Sequence, residues 1–80
     1  MEHHVYALKS ESRNYIYVGM TNNIERRLSE HNNGYNKTTK PYRPFVLIYT
    51  KTFDTRPEAR LYEKYLKSTS GRRFLRRILD

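Results

Sequence analysis

The segment YIYVGMTNNIERRLSEH, residues 15–31, decides the fold of this chain. Its first half alternates tyrosines with Ile16 and Val18, the pattern of a β-strand, and then reaches a single glycine. An asparagine pair follows, and either Asn22 or Asn23 can cap a helix that continues to the histidine. The segment therefore predicts a strand, a tight turn and a helix in direct succession.

The predicted helix has unequal faces. At about 100° per residue, Ile24 and Leu28 form its buried stripe, and Arg27 and His31 flank that stripe. Arg26 points in the opposite direction and should be solvated. The two adjacent arginines are thus predicted to differ, with Arg27 lying across the edge of the sheet.

Two further strands are predicted around this segment. Residues 3–9 alternate well enough to form a strand, and the short polar turn at residues 10–14 makes it a hairpin with the strand that follows. Residues 44–53, PFVLIYTKTF, predict a third strand. Its continuous apolar run indicates a strand that is buried at its centre rather than an exposed edge.

The last part of the chain predicts two helices. Thr55 is the cap of the first, with Pro57 in its first turn and Glu58 closing a capping box. In that helix Glu63 falls within the apolar face, where a carboxylate is costly unless it has a cation, a donor or a metal. The segment GRRFLRRILD, residues 71–80, is an amphipathic helix whose inward residues are Phe74, Leu75, Ile78 and Leu79.

The order of the predicted elements is β-β-α-β-α-α, an α+β fold in which a small antiparallel sheet is covered by helices. Eighty residues predict one domain, spanning residues 1–80. The absence of cysteine excludes disulfides and thiolate zinc sites, and is compatible with a cytoplasmic protein. No apolar run is long enough to span a membrane.

The net charge of +8 is large for this length. The first forty residues have six basic and four acidic side chains, and the last forty have ten and four. Such an excess favours nucleic acid as the partner, ahead of a basic surface without a partner or an anionic membrane. The exposed cations expected to contact it lie in the loop at residues 32–44 and on the last helix. They are Lys37, Lys40, Arg43, Arg72, Arg73, Arg76 and Arg77.

Five side chains from different elements converge on one region of the predicted fold: Tyr6, Tyr17, Arg27, His31 and Glu63. Phosphodiester hydrolysis needs a cation for the phosphate, a carboxylate for a divalent metal and a group that deprotonates water. Each residue also has a structural alternative. The tyrosines suit a core, the arginine can cover apolar surface, the histidine suits a helix C-terminus, and the carboxylate can pair with Arg27 or Lys67.

The ordered set of motifs resembles the GIY-YIG nuclease superfamily, especially its small single-domain members. It comprises HVY at residues 4–6, YVG at residues 17–19, an arginine ten residues after Tyr17, and a late glutamate in EARLYEKYLK. The resemblance extends from residue 4 to about residue 70. His4 stands where the family usually has glycine, and Met20 stands where some repair-type members have lysine.

The resemblance implies a central three-stranded antiparallel sheet and metal-dependent hydrolysis of one DNA strand by water. Tyr6 and Tyr17 are then the motif tyrosines, one of which acts as or assists the general base. Arg27 stabilises charge on the phosphate, and His31 supports proton transfer or positions a tyrosine. Glu63 binds one Mg²⁺ or Mn²⁺. Gly19 permits close approach of the backbone where the strand turns towards the helix.

The leading hypothesis is therefore a metal-dependent DNA endonuclease or nicking enzyme for repair or recombination. Backbone contacts without base reading predict structure preference or weak selectivity. The alternatives are a nucleic-acid-binding module with weak catalysis and a subunit of a larger nuclease, whose protein partner supplies target selection. The sequence leaves the oligomeric state open.

Overall fold

The computed structural model describes residues 2–79. It confirms the predicted α+β class and the order β-β-α-β-α-α. A single turn of 3₁₀-helix at Lys40–Tyr42 lies in the loop before the third strand. The strands and helices are β1 (His3–Ser10), β2 (Ile16–Thr21), α1 (Ile24–Asn32), β3 (Phe45–Phe53), α2 (Arg56–Lys67) and α3 (Thr69–Leu79).

The three strands form one antiparallel sheet in the order β2-β1-β3. The first strand occupies the centre because both of its faces are apolar: Val5 and Ala7 are fully buried on one face, and Tyr6 and Leu8 on the other. In the register, Tyr6 lies opposite Gly19 of β2. This pairing places the hydroxyl-bearing ring of β1 beside the residue of β2 that has no side chain.

A separate hydrophobic cluster packs on each face of β1. Helices α2 and α3 cover the first face, where Ala59, Leu66 and Leu75 are buried. On the second face, Ile24 and Leu28 of α1 pack against the cluster that contains Tyr6. None of the helices within residues 2–79 is long and apolar enough to span a membrane.

The prediction that the third strand is not an exposed edge is wrong, and its central residues Ile48 and Tyr49 are only partly buried. The strand β3 is an edge of the sheet, and Val46 and Leu47 are 41% and 39% exposed. Helix α2 packs mainly over β1 and β2, whereas α1 and α3 contact β3 more than either other strand. Even with these contacts, the middle of β3 is only partly covered. At the end of α3, Ile78 and Leu79 were also expected to face inward, but they are 43% and 40% exposed because that last turn is incompletely covered.

The helix caps follow the sequence signals. Of the two candidate asparagines, Asn23 caps α1, and its side-chain oxygen accepts a hydrogen bond from the Arg26 backbone N–H at 3.1 Å. Thr55 caps α2 by accepting from the Glu58 N–H, and its hydroxyl donates to the Glu58 carboxylate at 2.7 Å. The caps fix the phase of both helices, and that phase determines which side chains face the sheet.

Candidate active site

The candidate site is centred on the buried hydroxyl of Tyr6. This phenol is hydrogen-bonded to His31 Nε2 at 3.2 Å, and the residue is 1% exposed. The Tyr17 ring lies 4.8 Å from the His31 ring and 6.2 Å from the Tyr6 ring, measured between centroids. Tyr17 is only half-buried, so the two motif tyrosines have different access to solvent.

A chain of hydrogen bonds favours one tautomer of His31. The Thr39 hydroxyl donates to the Asn36 backbone carbonyl, and its oxygen lies 2.8 Å from His31 Nδ1. A hydroxyl that donates its only proton to the carbonyl must accept from Nδ1–H. Nε2 then has a free lone pair to accept the Tyr6 proton. Burial lowers the pKa of His31, and the nearby Arg27 charge lowers it further, so the imidazole is neutral at pH 7.

Arg27 lies beside the Tyr6 phenol, as the helix phase predicted, whereas Arg26 is exposed. The Arg27 side chain is 35% exposed and pairs with Glu30 at 3.1 Å. Contact with Tyr6 raises the pKa of Arg27, which keeps the guanidinium charged. Burial raises the pKa of Tyr6 despite the opposing effect of Arg27, so the resting phenol is protonated.

Glu63 projects from α2 towards the same region. Its side chain is 15% exposed, and its charge contributes to the raised pKa of Tyr6. The Glu63 carboxylate pairs with Lys67 at 3.4 Å, one of the two structural partners considered from the sequence. Within residues 2–79 no group of three or more His, Cys, Asp or Glu side chains could hold a metal. A single carboxylate still suits Mg²⁺, which keeps several waters and takes phosphate oxygens as further ligands.

Gly19 creates the space that the Tyr6 hydroxyl occupies. A Cβ at position 19 would lie 2.5 Å from the Tyr6 hydroxyl oxygen and 2.7 Å from the carbon that bears it. It would also lie 3.0 Å from the Tyr17 ring. Gly19 lies within β2 rather than at its turn, and the group that comes close to it is a motif tyrosine across the strand pair.

We expect Gly19→Ala to lower nucleic-acid cleavage by about 100-fold or more. The added methyl group would displace the Tyr6 hydroxyl and break its bond to His31, and a misplacement of about 1 Å can cost that much in rate. The measurement is a single-turnover cleavage rate combined with a thermal melt. A melting temperature that falls while cleavage per folded molecule is unchanged would contradict this assignment.

The predicted nucleic-acid contacts fall into two places. Lys37, Lys40 and Arg43 are exposed in the loop after α1. Of the four arginines on α3, Arg72 and Arg76 line a groove of about 330 Å³. Its other lining residues are Asn14, Tyr15, Ile16, Tyr17, Val18, Leu66, Lys67 and Leu75. Arg76 also donates to the Asn14 side chain at 3.1 Å. Arg73 and Arg77 are exposed outside that groove, so the four arginines are not equivalent.

Sequence reasoning missed Thr39, whose hydroxyl is buried against His31. Thr39 lies in a polar loop eight residues beyond the histidine, and no periodicity relates the two positions. Thr39 contacts His31 because the loop returns to the C-terminal end of α1. Position in the folded chain, and not a local sequence pattern, would have been needed to find it.

The profile of the GIY-YIG catalytic domain matches residues 2–76. The chain belongs to the GIY-YIG family. The family resemblance read from the motifs is therefore confirmed, and GIY-YIG membership makes this domain a nuclease domain in general terms. The match includes all five residues of the candidate site.

Relatives of this GIY-YIG chain occur in bacteria and archaea. It is 38% identical over 78 residues to a UPF0213 protein of Staphylococcus haemolyticus, covering 96% of this chain and 94% of the relative. It is also 38% identical over 69 residues to a UPF0213 protein of Halobacterium salinarum, with 85% and 88% covered. The solution NMR structure of a UPF0213 protein from Bacillus halodurans has 32% identity and a TM-score of 0.57, covering 94% of this chain and 82% of that one.

Proposed function

We propose that residues 1–80 form one metal-dependent endonuclease domain that nicks DNA, selects structure rather than sequence, and serves repair or recombination. The observation that supports this function is the convergence of a second phenol, a neutral imidazole, a charged guanidinium and a carboxylate around Tyr6. Two strands, β1 and β2, and two helices, α1 and α2, contribute to this arrangement. A structural core needs no charged guanidinium and no carboxylate here, because burying either group costs free energy.

The proposed chemistry begins with the scissile phosphate next to the Arg27 guanidinium, which stabilises the negative charge that grows on the phosphoryl oxygens. Tyr6 accepts a proton from the attacking water while its own proton passes to His31 Nε2. The water oxygen bonds to phosphorus as the bond from phosphorus to the leaving nucleoside oxygen breaks, and that oxygen takes up a proton from solvent. This relay avoids a free phenolate, which the raised pKa of Tyr6 disfavours. Tyr17, the more exposed phenol, contacts the phosphate or the water.

Glu63 is the residue proposed to hold one Mg²⁺ or Mn²⁺. When bound, such an ion supplies positive charge near the phosphate and lowers the pKa of water. Lys67 is paired with Glu63 in this structure and would have to release the carboxylate. The Lys67 side chain is 54% exposed, so the lysine can turn into solvent when it leaves the carboxylate.

The Glu63–Lys67 pair also supports a second candidate function. If Lys67 stays on the carboxylate, the domain is a nucleic-acid-binding module, or a subunit that gains activity and target selection from a larger partner. Metal binding separates the two functions. The endonuclease proposal requires Glu63 to exchange Lys67 for the ion, and the second candidate does not.

The test of the proposed function is nicking of supercoiled plasmid by the wild-type chain with Mg²⁺, with Mn²⁺ and with EDTA. Conversion to the open circle with either ion, and none with EDTA, would support a metal-dependent nuclease. Retained plasmid binding in a gel shift without any nicking would instead favour the binding module or the subunit.

The two pairs of arginines on α3 should differ in their contribution to DNA binding. Arg72 and Arg76 line the groove that reaches Tyr17, so we expect their joint replacement by glutamine to weaken binding. Each lost phosphate contact lowers the slope of log affinity against log salt by about one, so the slope should fall by about two. The measurement is fluorescence anisotropy of a labelled duplex at several salt concentrations.

Joint replacement of Arg73 and Arg77 by glutamine is the matched control. It removes the same charge from the same helix, but outside the groove. We expect this variant to lower the salt slope by less than about half of the change seen with the Arg72 and Arg76 double variant. Equal slopes for the two double variants would mean that net charge, and not the groove, determines binding.

A further inference from the structure

Tyr35 is the most exposed of the large hydrophobic side chains in residues 2–79, at 77%. It lines a pocket of about 400 Å³ together with Arg27 and His31 of the candidate active site. The remaining lining residues are Glu30, Asn36 and Lys37. An exposed tyrosine alone is ordinary, but Tyr35 lines the same pocket as the charged Arg27 guanidinium.

The backbone holds Tyr35 at the end of α1. Gly34 has φ of +78°, the left-handed conformation that commonly ends a helix. Its N–H donates to the His31 carbonyl at 3.2 Å, and the Tyr35 N–H donates to the Glu30 carbonyl at 3.0 Å. The residue that follows, Asn36, accepts from two backbone N–H groups with its side chain. The ring is therefore presented from a fixed backbone, which lowers the entropy cost of binding.

The ring has no aromatic or cation partner within the described part of the chain, unlike the other loop tyrosine. Tyr42 stacks on Tyr15 with centroids 4.0 Å apart, and Arg13 lies over the Tyr42 ring. Lys37, two residues after Tyr35, is exposed on the same pocket. A flat apolar ring beside free positive charge matches the chemistry of a nucleotide, with a base to stack and a phosphate to pair.

We propose that Tyr35 stacks on an unpaired base next to the scissile phosphate, with Lys37 contacting the neighbouring phosphate. This inference rests on the proposed function and narrows its substrate class to single strands, flaps and other DNA with an unpaired nucleotide at the cut. Paired bases in a duplex are already stacked on their neighbours, so they gain nothing from the ring. Tyr35 is thus a determinant of specificity and takes no part in proton transfer.

The experiment measures binding without cleavage. Fluorescence anisotropy in EDTA compares a labelled single strand with the matching blunt duplex. Tyr35→Ala is expected to weaken single-strand binding by about tenfold or more, as for the loss of one stacked base, and duplex binding by less than about twofold. Tyr35→Phe should retain single-strand affinity within about twofold. Leu61→Ala is the control, because Leu61 is 70% exposed on α2 and lines neither pocket.

A single 2-aminopurine in the strand reports stacking directly. When 2-aminopurine occupies the position that stacks on residue 35, its fluorescence should be quenched by the wild type and by Tyr35→Phe but not by Tyr35→Ala. Equal losses on single strand and duplex, or no loss on either, would overturn the proposal. Because neither readout needs hydrolysis, the Tyr35 comparison stays decisive whether or not the plasmid is nicked.

Discussion

Glu63→Gln is expected to reduce metal-dependent nicking by roughly 100- to 1000-fold or more, the loss that follows removal of one group stabilising transition-state charge. Glutamine has nearly the same shape, but it lacks the charge that would hold a divalent ion. DNA affinity in EDTA should change by less than about twofold, because the carboxylate makes no attractive contact with phosphate. The measurements are single-turnover nicking with Mg²⁺ or Mn²⁺ and anisotropy without metal.

Glu11→Gln is the matched control for that substitution. Glu11 is exposed in the turn between β1 and β2, and its replacement removes the same charge without touching the site. The control should nick like the wild type. If Glu63→Gln nicks as fast as Glu11→Gln does, Glu63 is only the structural partner of Lys67.

The second large effect is expected from Arg27→Ala, which should lower the nicking rate by about 100-fold or more. The guanidinium lies beside the Tyr6 phenol and opens into the pocket where the phosphate is proposed to bind. Arg26→Ala should cost less than about threefold, since Arg26 is exposed and its side chain donates to the Asn22 side chain at 3.4 Å. Both rates are measured under single-turnover conditions on the same plasmid.

The two variants have the same composition and the same net charge, and both lose one arginine from α1. They differ only in the direction in which the lost arginine pointed. Circular dichroism should show equal helicity for the two variants. Equal losses of rate would show that charge density at the start of α1 matters, and that the position of Arg27 beside Tyr6 does not.

Much of this fold could be predicted from the sequence, because the signals involved are local. The alternation around Ile16 and Val18 indicates a strand, and the helix period alone separates Arg27 from Arg26. Helix caps depend on one side chain and a backbone group three residues away, so Thr55 was predictable from its neighbours. The convergence of the five candidate residues followed from combining these local elements with the family's motif order.

The features that sequence reasoning missed depend on packing between distant segments. Val46 and Leu47 are as apolar as buried residues, and only the strand order places them on an edge. Thr39 meets His31 because a loop folds back, and Arg72 differs from Arg73 because a groove forms between β2 and α3. No periodicity within one segment contains that information.

The central position of β1 determines at which stage of folding the proposed site can be complete. One face of this strand carries Tyr6 towards His31, while the opposite face is closed by the helix that carries Glu63. On the proposed roles, the relay and the metal ligand meet only after both layers have docked on the same strand. On the same roles, a chain in which one helix layer has not docked would have one half of the chemistry without the other.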